Sequence, residues 1–322
     1  LIVPLISISG IFLAHINKQN KLKSLIKNGI APIKAKGMVF ISPELTKPNL
    51  LIIIGSIIFV LFTLFIGTSK IQFSQEIVFV GSFGIILLLR IKLSNELDTK
   101  AKRMLLGTAI IIFVFRAMPG VGQGGSWFEI DVLKFDQEFL SLLGLIASFL
   151  TIFGIFILRP LMEKSSMSRL IIILSVAGSI FILPSIAMYY GFHEYTSKLT
   201  GGIVDERFIA IFNTALESPL GQVSMIPILA WIAQSAPSHL KATFFAILAS
   251  FTNLALSASN LGTKYLNQIF VITREVKTEQ GEIKIPADYS DLGILLIIVC
   301  LFTLIVPIIT TFVIKKLRLI SY

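Results

Sequence analysis

Two charges in this chain fall where charge is expensive. Glu217 interrupts the apolar run from Arg207 to Gln234, RFIAIFNTALESPLGQVSMIPILAWIAQ, ten residues past the cluster Asp205, Glu206 and Arg207. At the rise of an α-helix this puts it roughly 15 Å into a hydrocarbon layer about 30 Å thick. A carboxylate at mid-depth costs several kcal/mol unless it faces protein, water or a partner, so it marks a site. Arg116 lies thirteen residues beyond Arg103, roughly 20 Å along a helix, and is deep as well. A direct Arg116–Glu217 pair is the simplest arrangement. It would be a permanent bridge between two helices, or a pair lining a cavity and exchanging partners as a solute crosses.

Polar stripes accompany these charges. Asn213, Glu217, Gly221 and Ser224 recur at helical spacing, and so do Ser250, Asn253, Ser257, Asn260 and Lys264. Hydrogen bonding between helices is the plain reading of such stripes; a cavity wall is the functional one. Pro219, Gly221 and Pro227 weaken the backbone ladder just beyond Glu217, where a transport protein would bend or open a helix.

Other patterns carry no chemistry. Gly120, Gly122 and Gly125 spell G-x-G-x-x-G, but neither a preceding strand nor a soluble βαβ unit surrounds them. With Pro119 they read as a helix break held in protein or beside a cavity. His15, His193 and His239 fall in separate loops without a ligand cluster, so neither a metal nor another cofactor is expected. No serine in a span has a histidine beside it, and no enzyme is expected. Cys300 lies in an apolar run and reads as a packed core residue.

These residues must be positioned by helices in a bilayer. Apolar residues make up 55% of the chain and charged ones 14%, mean hydropathy is +0.87, and no alternation suits a β-barrel. The expected fold class is an all-α polytopic membrane protein with about nine spans. They fall near residues 1–14, 50–67, 76–91, 104–131, 138–158, 169–191, 207–233, 241–268 and 291–314. The span at 104–131 is discontinuous, carried through the glycine break. Because the chain opens on Leu1 inside an apolar run, it reads as N-terminally truncated. Residues 1–91 would end one half of a six-plus-six transporter, residues 92–103 would form the central cytoplasmic loop, and residues 104–322 would form the other half.

The net charge of +10 is placed for a membrane, not for nucleic acid. One set of alternate loops holds 19 Lys and Arg against four acids, whereas the other is acidic on balance. Lys and Arg in short loops mark the cytoplasmic side, so the C-terminus is expected there, in the inner membrane if the source is bacterial.

Two stretches resemble a known family. FVFRAMPGVGQGGSWFEIDVLKFDQEFLSLLG, and LESPLGQVSMIPILAWIAQSAPSHLKATFFAILASFTNLALS with its Gly221-Gln222 pair, Met225 to Pro227, Ala242 to Ala246 and Asn253, are similar to the folate-biopterin transporter family. That family is a branch of the major facilitator superfamily, and the resemblance runs from about residue 105 to 270. Glu217 and the long polar segment Gly262 to Ser290 depart from its pattern. The resemblance implies a major facilitator-type helical bundle of twelve spans in the full protein. It also implies secondary-active transport of a folate, a pterin or a related organic solute by alternating access.

In that setting Glu217, Arg116, Asn213, Gln222, Asn253, Ser257, Phe128 and Trp231 are the candidate substrate-binding or coupling residues. Phe128 or Trp231 would stack on a ring, Arg116 would attract a carboxylate, and Glu217 would accept from an amino-amide edge or carry a coupling proton or ion. A membrane scaffold or assembly factor on the same fold is the alternative.

Overall fold

In the computed structural model, residues 2–39, 50–69, 71–94, 99–220, 226, 241–278, 280 and 282–319 are described. The chain divides into two units, Leu1–Leu50 and Leu51–Tyr322. In the first, α1 (Ile2–Lys27) packs against α2 (Pro32–Val39). Helix α1 runs past the apolar start deep into the basic segment, because the lysines from Lys18 to Lys27 are good helix formers and the first proline after Pro4 is Pro32.

The second unit is a bundle of α3 (Leu50–Thr68), α4 (Ser74–Ser94), α5 (Thr99–Arg116), α6 (Gln123–Asp131), α7 (Gln137–Ile157), α8 (Arg159–Lys164), α9 (Met167–Tyr189), α10 (Phe192–Leu199), α11 (Glu206–Glu217), α12 (Lys241–Ile269) and α13 (Leu292–Lys316). Among the described residues, three helices, α7, α9 and α13, have 21 to 25 residues and are apolar enough to cross a membrane. Shorter apolar stretches cover Ile53–Thr68, Ser74–Leu88 and Leu106–Arg116. On α7 the side chains of Leu145, Phe149, Ile152, Phe153 and Phe156 are exposed. An apolar face of that length suits hydrocarbon and not water.

The most extensive helix contact joins α9 to α13. Buried Ser168, Ser175 and Ser179 on α9 let the partner come close. The Ser179 hydroxyl donates to the Ser175 carbonyl at 2.8 Å, and Cys300 is a buried free thiol 3.4 Å from the Ser179 carbonyl.

One end of the bundle carries a small sheet, in which β1 (Val276–Lys277) pairs antiparallel with β2 (Ile283–Ile285). The polar segment from Gly262 begins inside α12, which runs to Ile269. These last turns have a structural purpose: Gly262 lies so close to Pro119 that an added Cβ would come within 3.2 Å of the proline ring. At this hairpin end Arg274 donates twice to the Asp131 carboxylate, at 2.9 and 2.7 Å. The Tyr289 hydroxyl donates to it at 2.6 Å. Burial, and then that bond, push the Tyr289 phenol up to about 12, so it remains a donor at neutral pH.

Candidate functional site

The break between α5 and α6 is built from one face of α12. Pro119 has no N–H, and Gly122 adopts φ 79°, ψ −159°, a region open essentially to glycine alone. The freed backbone groups find partners on Ser259, Thr263 and Asn267, which recur every four residues along α12. Ser259 donates to the Met118 carbonyl at 2.6 Å. The Gly120 N–H donates to Thr263 Oγ1 at 2.8 Å, and Asn267 Nδ2 to the Val121 carbonyl at 3.1 Å. Irregular backbone is tolerated at membrane depth when protein satisfies it in this way.

The opposite face of α12 opens on a cavity. Ser257 and Ser259 are two residues apart, about 200° around the helix, so the polar groups of α12 point in two directions. The cavity, about 260 Å³, lies between α3, α4 and α12, with polar groups from Ser82, Ser250, Asn253 and Ser257 and apolar walls that include Phe59, Ile86 and Leu254. A few hydrogen-bonding groups in a mostly apolar concavity are the usual make-up of a small-molecule site, though at the small end of the ~300–1,000 Å³ range.

The candidate residues separate on the structure. Asn253 and Ser257 line the cavity together. Glu217 is the last residue of α11 and is exposed, with Asn213 one turn before it; the chain then tightens into a 3₁₀ turn at Ser218–Leu220. Arg116 ends α5. Phe115, next to Arg116, and Leu220, three residues past Glu217, both pack on the buried cluster of Leu170 and Leu174 on α9. Ion pairs among the described residues include Arg207 with Asp136, Lys264 with Glu76, Arg274 with Asp131 and Lys277 with Glu275. Phe128 is buried in the core, its ring 5.5 Å from Tyr189 and 5.9 Å from Tyr289. Gln222 and Trp231 lie outside the described residues.

Asp136 fixes how α7 leaves the hairpin end. Its carboxylate accepts from the Phe139 N–H at 2.8 Å as an N-cap and from Arg207 at 2.7 Å. These bonds, the backbone one first, hold its carboxyl below the usual aspartate range. A depressed folded-state value contributes stability above the unfolded-state value, and that stability is lost as pH falls through the folded one. Asp136→Asn keeps an amide oxygen for the cap but loses the charge. Its melting temperature in detergent is expected to fall less than the parent's as pH is lowered below about 4. Parallel curves would rule out this contribution.

A family model described as the BT1 family matches residues 33–321. The chain belongs to the BT1 family. A stretch of 156 residues of this BT1-family chain is 23% identical to the folate-biopterin transporter of Synechocystis sp. (strain ATCC 27184 / PCC 6803 / Kazusa). The alignment covers 48% of the chain and 30% of that relative. No solved structure matches. The BT1 assignment agrees with the resemblance carried by the glycine break and by the Asn253 segment, and with an integral membrane protein.

Proposed function

We propose that the chain is part of a secondary-active membrane transporter that moves an organic solute by alternating access, with the cavity between α3, α4 and α12 as its solute site. The observation that carries this reading is the cavity's position. Ser82 comes from α4, before residues 92–103, while Ser250, Asn253 and Ser257 come from α12, well after them. A site walled by both halves is what rocking of one half against the other requires.

The solute class follows from the relative's name and from the chemistry of Asn253. A pterin presents an amide and an amino group side by side, and a carboxamide offers both an acceptor and donors. With no phosphate-cradling glycine loop in the sequence, a solute or proton gradient is the energy source, and Glu217 is the group to carry a proton. The exposed C-terminal position of Glu217 on α11, next to the 3₁₀ turn, suits an acid that changes surroundings.

Uptake of labelled folate and labelled pterin by the full-length protein in proteoliposomes tests both parts. Saturable uptake is expected for the parent. Asn253→Ala is expected to lower it about tenfold, the loss of one or two neutral hydrogen bonds. Glu217→Gln is expected to leave uptake flat across an imposed pH gradient. A folded parent that takes up neither compound would discard the folate and pterin assignment. Unchanged uptake by Asn253→Ala would remove the cavity from the path.

A further inference from the structure

Glu76 and Lys264 close the same pair of helices that holds the cavity. Lys264 is seven residues beyond Ser257 on α12, and Glu76 is six residues before Ser82 on α4; each interval is roughly 10 Å of helix. Lys264 Nζ donates to Glu76 Oε1 at 2.7 Å, and the Tyr265 hydroxyl donates to the same oxygen at 2.8 Å. The ammonium also stands 5.6 Å from the centre of the Tyr265 ring. The contact is half sheltered, the side chains being 35% exposed for Lys264 and 20% for Glu76, so water screens it less than a surface pair.

We propose that Glu76, Lys264 and Tyr265 form a latch that shuts the cavity at the hairpin end, and that access from that end requires Glu76 to part from α12. The proposal rests on the transport reading of the cavity. It adds to that reading the contact that opens and the side from which it opens. The packing of the two helices supports it. α4 and α12 make one of the more extensive contacts in the unit, and the latch is the ion pair that joins them among the described residues. On the other face of α12, Ser259, Thr263 and Asn267 hold α12 to the α5–α6 break by three hydrogen bonds. When the halves part, α12 therefore stays with α5 and α6, and the α4 side is the one that moves. Glu76 has its ladder of bonds on the moving side and its partners on the fixed one.

The test reads access directly and not solute movement. A reporter cysteine, Ser257→Cys, is placed in the cavity of the full-length protein in sealed proteoliposomes, and a membrane-impermeant maleimide is applied from the hairpin side. Buried Cys300 is the internal unlabelled control. Adding Glu76→Gln, Lys264→Met or Tyr265→Phe is expected to raise the labelling rate, by tenfold or more for the two charge variants and by less for the tyrosine. The exchange Glu76→Lys with Lys264→Glu is expected to return it toward the parent rate. If Glu76→Gln does not fold, Tyr265→Phe, which removes one hydroxyl, still reads the latch. Labelling unchanged in every folded variant would overturn the proposal. Because the maleimide requires no solute, failure of folate or pterin uptake would discard the substrate assignment while leaving this result intact.

Discussion

Gly122→Ala is expected to lower the melting temperature of the full-length protein in detergent by far more than Gly191→Ala, although both glycines have a positive φ near 80°. Gly191 is left-handed at φ 78°, ψ 14°, and a Cβ there meets nothing within 4 Å. Its replacement costs only the left-handed penalty, about 1–2 kcal/mol. Gly122 differs twice. Its ψ of −159° takes it to a region where an alanine costs up to about 3 kcal/mol. An added Cβ would also stand 2.9 Å from Asn267 Nδ2 and 3.0 Å from Oδ1. To make room, Asn267 must swing away and abandon the half-buried Val121 carbonyl, and losing that bond costs about 1 kcal/mol more. Gly120→Ala is the companion control, since its Cβ would meet Thr263 Oγ1 at an ordinary 3.9 Å. A Gly122→Ala protein as stable as Gly191→Ala would mean that Asn267 does not hold the break.

The sequence made this break visible and hid what holds it. Pro119 with three nearby glycines signals a break, and a break at membrane depth must be satisfied by protein or water. The satisfying residues lie about 140 positions later, and nothing local pairs Met118 with Ser259. Ser259, Thr263 and Asn267 do recur at fourfold spacing, so the signal was present as a second polar face of α12. A single stripe, Ser250 to Lys264, draws attention first. That first stripe divides into the cavity wall and the latch. Glu76 reads as an ordinary acid at a helix end, since its partner is 188 positions away.

Helical rise is a statement about depth alone, and it puts Arg116 and Glu217 at comparable levels along their helices. Depth says nothing about azimuth, however. α5 packs on α9, α12 and α13, and α11 packs on α7, α9 and α10, so α9 is the helix the two share. Phe128 shows the same gap for aromatics. Phe128 is offered for stacking on a solute ring, whereas Tyr189 at the end of α9 and Tyr289 just before α13, about 60 and 160 residues away, pack against it.

Gly154→Val is expected to remove most of the folded, monodisperse fraction on size-exclusion chromatography, while Gly144→Val leaves it unchanged. Both glycines are on α7 and both replacements carry the same helix-propensity change. Gly144 has open space where a Cβ would be. At Gly154 a Cβ would lie 2.2 Å from the Pro219 carbonyl oxygen and 2.4 Å from its Cα. These are backbone atoms of the 3₁₀ turn, so no side-chain rotation relieves the clash, and overpacking of this sort costs about 1–3 kcal/mol or more. One turn earlier, Thr151 Oγ1 donates to the Ser218 carbonyl at 2.9 Å, and displacing the turn breaks that bond as well. α7 thus seats the end of α11, the point where Pro219 stops the helix and leaves Glu217 at its tip. The smaller change Gly154→Ala should retain more folded protein and, by moving that tip, alter the pH dependence of uptake before it abolishes uptake. Identical folded fractions for Gly154→Val and Gly144→Val would show that the turn does not rest on α7, and the placement of Glu217 beside it would fall too.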